Sequence, residues 1–130
     1  MKITLLIVVL LTFMFTSCTK TKTTDSIPVI TISSPTENDS LSNPKINIDF
    51  NIQDVVDLTS VSIELKDEEN NDLFSKTTTE ISSSAYIYSN FFTINSNTKI
   101  KTLELTISAI NEFGNTNEKK IKFNVLPQTN

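Results

Sequence analysis

A chain of 130 residues has room for one domain, and its 15 acidic residues against 11 lysines give it a net charge of −4, the wrong sign for a phosphate-binding face. It contains no His, no Arg and no Trp, so a Ser-His-Asp triad cannot be built and the usual neutral-pH general base is missing. With one Cys and no His, neither an internal disulfide nor a structural zinc site can form within the chain, so packing and strand pairing must hold the fold.

The first element is apolar. Lys2 precedes Ile3 to Phe15, interrupted only by Thr4 and Thr12. As a helix this run would be about 20 Å long at 1.5 Å per residue, whereas a bilayer core of about 30 Å needs roughly 20 residues. It is too short to span and fits the hydrophobic region of a secretory signal, expected as a cleaved helix over 1–17. Phe15-Thr16-Ser17-Cys18 follows, then the polar run Thr19-Lys20-Thr21-Lys22-Thr23-Thr24-Asp25-Ser26, a flexible tether over 18–27. On the residues alone, an ordinary cleaved signal leaving Cys18 as a free thiol is the alternative.

Thr16-Ser17-Cys18 resembles the lipobox of bacterial lipoproteins, with Phe15 standing where Leu is usual. The resemblance implies that Cys18 carries a diacylglycerol on its sulfur, that cleavage falls before it, and that the new amine is acylated. One acyl chain anchors only marginally, and two or three hold durably. It also implies a cell-envelope location, and Thr19, in place of the Asp that retains some lipoproteins in the inner membrane, favours the outer membrane. Cleavage would leave 113 residues with 10 Lys against 15 acids, a net −5. That balance disfavours electrostatic docking on anionic lipid.

From Ile27 onward the pattern has period two. Ile46-Asn47-Ile48-Asp49-Phe50-Asn51-Ile52 sets four apolar residues on one face and three polar ones on the other, as a strand does and a helix does not. Val61 to Leu65, Leu103 to Ala109 and Ile121 to Val125 repeat it. Strands are predicted over 28–33, 45–53, 59–66, 72–79, 85–94, 100–110 and 118–126, with 72–79 at an edge. Turn signals fall between them: Pro35 to Pro44 as a loop, Asp67 to Asp72 as a hairpin tip, and Glu112 to Asn115, where Gly114 supplies a positive φ. About seven short antiparallel strands with one wet face predict an all-β sandwich over 28–126, with 127–130 as a tail. A small barrel is the alternative.

Pro28-Val29-Ile30-Thr31-Ile32-Ser33-Ser34-Pro35 resembles the first strand of bacterial immunoglobulin-like domains. Leu105 to Asn115 is similar to their penultimate strand and hairpin, with Asn111 where Asp is usual and able to make the same local turn hydrogen bonds. Asp54 to Leu58 resembles the loop joining their second and third strands. The likeness covers about 28–126 and implies an immunoglobulin-like β-sandwich that works by binding or structural support.

Four features are candidates for chemistry or contact. Asp67 to Asp72 gathers four acids and two Asn, an oxygen-rich set that could take calcium in an adhesion module, although the spacing of a calcium loop is missing. Asp54 and Asp57 could serve a carboxylate-based hydrolase, but the aromatic platforms of a sugar cleft are scarce. Tyr86 and Tyr88 share one face of a strand near Phe91, Phe92 and Ile94, and form a binding strip if that face is exposed. Lys119-Lys120-Ile121-Lys122 reads as an edge strand guarded by charge. The expected function is that of a non-catalytic, membrane-anchored binding or structural module. Its partners are the membrane through the N-terminal lipid and an envelope protein or glycan; nucleic acid, cofactor and metal are not expected.

Overall fold

The computed structural model describes residues 25–95 and 99–127. The signal segment, Cys18, most of the tether and the last three residues lie outside them.

The fold is all-β, a curled open sheet with no helix among the described residues. Its strands are β1 (Val29–Ser34), β2 (Ser40–Leu41), β3 (Lys45–Asp67), β4 (Asp72–Thr93), β5 (Lys101–Asn111) and β6 (Thr116–Val125). The order is β1-β3-β5-β6-β2, with β4 paired to β3 off this path. All pairings are antiparallel except β2 with β6.

Two strands are far longer than the others and explain the curl. Along β3 the buried side chains are first even-numbered (Ile46, Ile48, Phe50, Ile52, Val56, Leu58) and then odd-numbered (Val61, Ile63, Leu65). The switch coincides with register shifts between Gln53 and Leu58 and between Leu58 and Ser60. A bulge inserts an unpaired residue, bends the strand and flips the parity of every side chain beyond it. β4 bends at the same level, where Glu80 has φ +60° and pairing jumps from Thr79 to Ser83 and then Ala85. A non-Gly residue at positive φ is uncommon and marks this crease.

The crease brings the two arms of β4 back against each other. Phe74 meets Phe92 at 6.0 Å, Lys76 Nζ lies 5.3 Å from the Tyr88 ring, and Thr78 Oγ1 lies 3.3 Å from the Tyr86 hydroxyl. The first arm of β3 pairs with β1 and the second arm of β4; the second arm of β3 pairs with the first arm of β4 and with β5. Inside lies one core, to which β5 gives Leu103, Leu105, Ile107 and Ala109 and β6 gives Ile121, Phe123 and Val125. Each of these side chains larger than Ala109 contributes roughly 1.5–3 kcal/mol by leaving water.

Two sequence expectations are corrected. The separate strands 45–53 and 59–66 are arms of one bulged strand, as are 72–79 and 85–94, so Asp54 to Leu58 is not a free loop. Within the loop from Pro35 to Pro44, Ser40 and Leu41 form a short parallel strand beside Asn124 and Val125. The hairpin tip at Asp67 to Asp72 and the Gly114 turn, with φ +80°, are as expected.

Candidate functional site

Ser26, the β3 crease and the β5–β6 turn meet at one pole of the fold. The core's one buried polar side chain among the described residues sits there: Asn111, at the end of β5, is 1% exposed. Its Oδ1 accepts from the N–H of Phe113 at 3.1 Å and of Asn115 at 3.0 Å, which closes the turn. Its Nδ2 donates to the Ser26 carbonyl at 2.9 Å and to Asp54 Oδ2 at 2.9 Å. Asn115 Nδ2 adds a second bond to the Ser26 carbonyl at 2.8 Å, and the Glu112 N–H reaches the Asp57 carbonyl at 2.8 Å.

The local turn bonds of Asn111 are those read from the sequence. The long-range ones were not, because Ser26 and Asp54 are 85 and 57 residues away. An Asp at this position would close the turn but could not donate to the Ser26 carbonyl or to Asp54.

Burial pushes the Asp54 carboxyl up, but bonds from Asn111, Ser26 and the N–H groups of Val55 and Val56 outweigh it and hold the group below its ordinary value. A glycosidase general acid needs a raised pKa. In this geometry Asp54 acts as a strut between the crease and the turn.

Beside this cluster lies an open hollow of about 480 Å³ lined by Ser26, Ile27, Val29, Gln53, Asp54 and Val55. Ile27, Val29 and Val55 are all exposed. Ser26 therefore stands beside an apolar rim.

The opposite pole carries the acidic hairpin. Asp67 Oδ1 accepts from the N–H groups of Glu69 at 3.0 Å and Asn71 at 2.8 Å, and Oδ2 accepts from Asn71 Nδ2 at 2.9 Å. These bonds, Asn71's first, hold Asp67 below its ordinary value. Asn70, at φ +64°, takes the left-handed position of the turn, which Asn tolerates. Lys66 Nζ stands between Glu64 at 3.4 Å and Asp72 at 3.5 Å. The carboxylate of Asp67 is committed to its own turn, and among the described residues no three acidic or Cys side chains converge as a metal would require.

Tyr86 and Tyr88 do not form an exposed strip. Tyr88 is 8% exposed and stacks on Phe50 with ring centroids 5.3 Å apart; Tyr86 lies 6.2 Å from the same ring. Register explains this, because Tyr88 pairs directly with Phe50 and both point inward. The side chains that this arm shows to water are the odd-numbered Ile87 and Phe91, 79% and 54% exposed. Lys119 and Lys120 stand exposed on β6 as an edge expectation requires.

No known protein family matches the chain, and no curated protein does. Among solved structures, an engineered protein aligns with 75% of this chain at a TM-score of 0.55 and 17% identity, over 20% of its own length. Spo0M, a sporulation control protein from Bacillus subtilis, aligns with 81% of this chain at a TM-score of 0.43 and 8% identity, over 50% of its own length. The chain thus spans a fifth to a half of the proteins it is similar to, and the first likeness concerns the β fold alone.

Proposed function

We propose that this chain is a lipid-anchored lipoprotein of the bacterial cell envelope, whose single immunoglobulin-like β-sandwich acts as a non-catalytic binding or structural module. The observation that carries the reading is the pairing of one cysteine with one point of attachment. Cys18 closes the apolar run and lipobox-like stretch, and eight residues later Ser26 is held by Asn111 and Asn115. The seven residues between them reach about 25 Å when extended, so a diacylglycerol on Cys18 suspends the fold near the bilayer by its tether pole. The outer membrane is the favoured one because Thr19 follows the cysteine.

The sandwich reading is supported by the crease. Counted as arms and without the two-residue β2, the strands give three on one side (β1, the first arm of β3, the second of β4) and four on the other (the first arm of β4, the second of β3, β5, β6). Three strands against four is the count that a seven-stranded sandwich has. Tethered at one pole, the domain presents the Asp67 hairpin and the Pro35 to Pro44 loop at the other, and tips held on a rigid scaffold are the usual places for contact. The partner class is an envelope protein or glycan.

Cys18→Ala tests the anchor. In fractionated producing cells the native chain should sediment with membranes and the variant should become soluble. Equal retention of both would contradict the reading.

A further inference from the structure

Among the described residues the second arm of β4 is a sheet edge that lacks the charged and proline residues that usually guard one. Among the described residues β4 pairs only with β3, so its other side carries free backbone groups. From Ile81 to Thr93 there is no Asp, Glu, Lys, Arg or Pro, the residues that normally keep such an edge from pairing. Residues 85–93 run against β3 without a register shift.

The backbone shows where the edge is open. The Ala85 N–H is held by Ser83 Oγ at 3.2 Å, and the Phe91 N–H by Asn90 Oδ1 at 2.8 Å. These donors point away from β3, and backbone direction alternates along a strand. The N–H groups of Ile87 and Ser89, between them in the same parity, therefore face outward as well. The edge is blunted at both ends and open in the middle.

We propose that this edge pairs with the same edge of a second copy of the chain, antiparallel and centred on Ser89. Twofold pairing about Ser89 sets Ile87 opposite Phe91 of the other copy, and Phe91 opposite Ile87. The two exposed apolar side chains of this arm then cover each other twice on the outer face, as cross-strand pairs. Ala85 faces Thr93 in the same register; the charges beside the seam, Asp49 bonded by Ser89 Oγ and Lys45 over Phe91, stand on β3, one strand back from it. Lys45 Nζ, 3.6 Å over the Phe91 ring, stays on the outer face above the pair. On pairing, the Phe91 N–H exchanges Asn90 Oδ1 for the carbonyl of Ile87 in the other copy. A second copy suits this edge better than a charged partner. The chain is acidic overall, and only an uncharged stretch lets two copies meet without repulsion.

Ser89→Cys in the full chain tests the register. In oxidised membranes from producing cells it should give a disulfide-linked species of twice the monomer mass as the main product. The native chain, whose only cysteine is Cys18, and Thr116→Cys on the β6 edge should give none. Adding Ile87→Lys to Ser89→Cys should cut the linked fraction about tenfold or more. Independently of any new cysteine, the native chain in mild detergent should sediment at twice its monomer mass and Ile87→Lys at once. Monomer mass throughout, linkage only to a species of another mass, or a yield indifferent to Ile87→Lys would overturn the proposal.

Discussion

The two poles of this fold are built by different means. At the tether pole, side chains far apart in sequence bond one another: Asn111 holds Ser26 and Asp54, Asn115 also holds Ser26, and Asn111 is buried. At the hairpin pole, Asp67 bonds residues no more than four positions away, and those bonds are exposed to water. A long-range buried network exists only when the whole sheet is folded, so it ties the tether's attachment point to global stability. A local exposed turn closes itself, so a change there costs the sheet little. The proposed anchoring, which hangs the domain from one pole and presents the other, is served by this division.

Breaking the Asn111 network should have the largest effect. Asn111→Ala removes the donors to Ser26 and Asp54 and the acceptor for two turn N–H groups, and should cost about 3 kcal/mol, read as a fall in urea midpoint with unchanged slope. Asn111→Asp sharpens the point. It keeps the turn acceptor but sets a second carboxylate against Asp54, so it should cost roughly 2 kcal/mol at neutral pH. Each carboxyl raises the other's pKa, so that loss should shrink as the pH falls and one of them takes a proton. Gly114→Ala, at φ +80° with open space around the added Cβ, meets backbone strain alone and should cost about 1 kcal/mol.

Asp67→Ala at the other pole should cost no more than about 0.5 kcal/mol by the same urea measurement, as exposed local sites usually do. The acid limb compares the poles without mutation. Asp39 (through Thr36), Asp54 and Asp67 are all held below their ordinary value. The stability they supply is therefore complete above the ordinary carboxylate range and lost as pH falls through their lowered values. Thermal melts should be flat from about pH 7 to pH 5 and fall below about pH 4, with a shallower fall in Asn111→Ala because Asp54 loses its first stabilising partner.

Much of this architecture was legible as alternation. Runs such as Ile46 to Ile52 and Leu103 to Ala109 read directly as strands because one face meets the core and the other meets water. The crease was not legible. A bulge and a loop both interrupt the alternation by an odd step, so Asp54 to Leu58 and Glu80 to Ser84 looked like ends when they are bends. Tyr86 and Tyr88 show the same limit: alternation told that they share a face, but only the pairing of Tyr88 with Phe50 tells which face is inside. At the tether pole, Gly114 and the local bonds of Asn111 followed from turn chemistry, whereas Ser26 and Asp54 reach Asn111 only through the folded sheet.

The proposed function depends most on the sulfur of Cys18. Mass spectrometry of the N-terminal peptide from the native membrane fraction measures it directly. A lipid-anchored chain gives a peptide that begins at Cys18 and carries the added mass of a diacylglycerol and an amide-linked acyl chain. A peptide that retains residues before Cys18, or that begins there with an unmodified thiol, would contradict it.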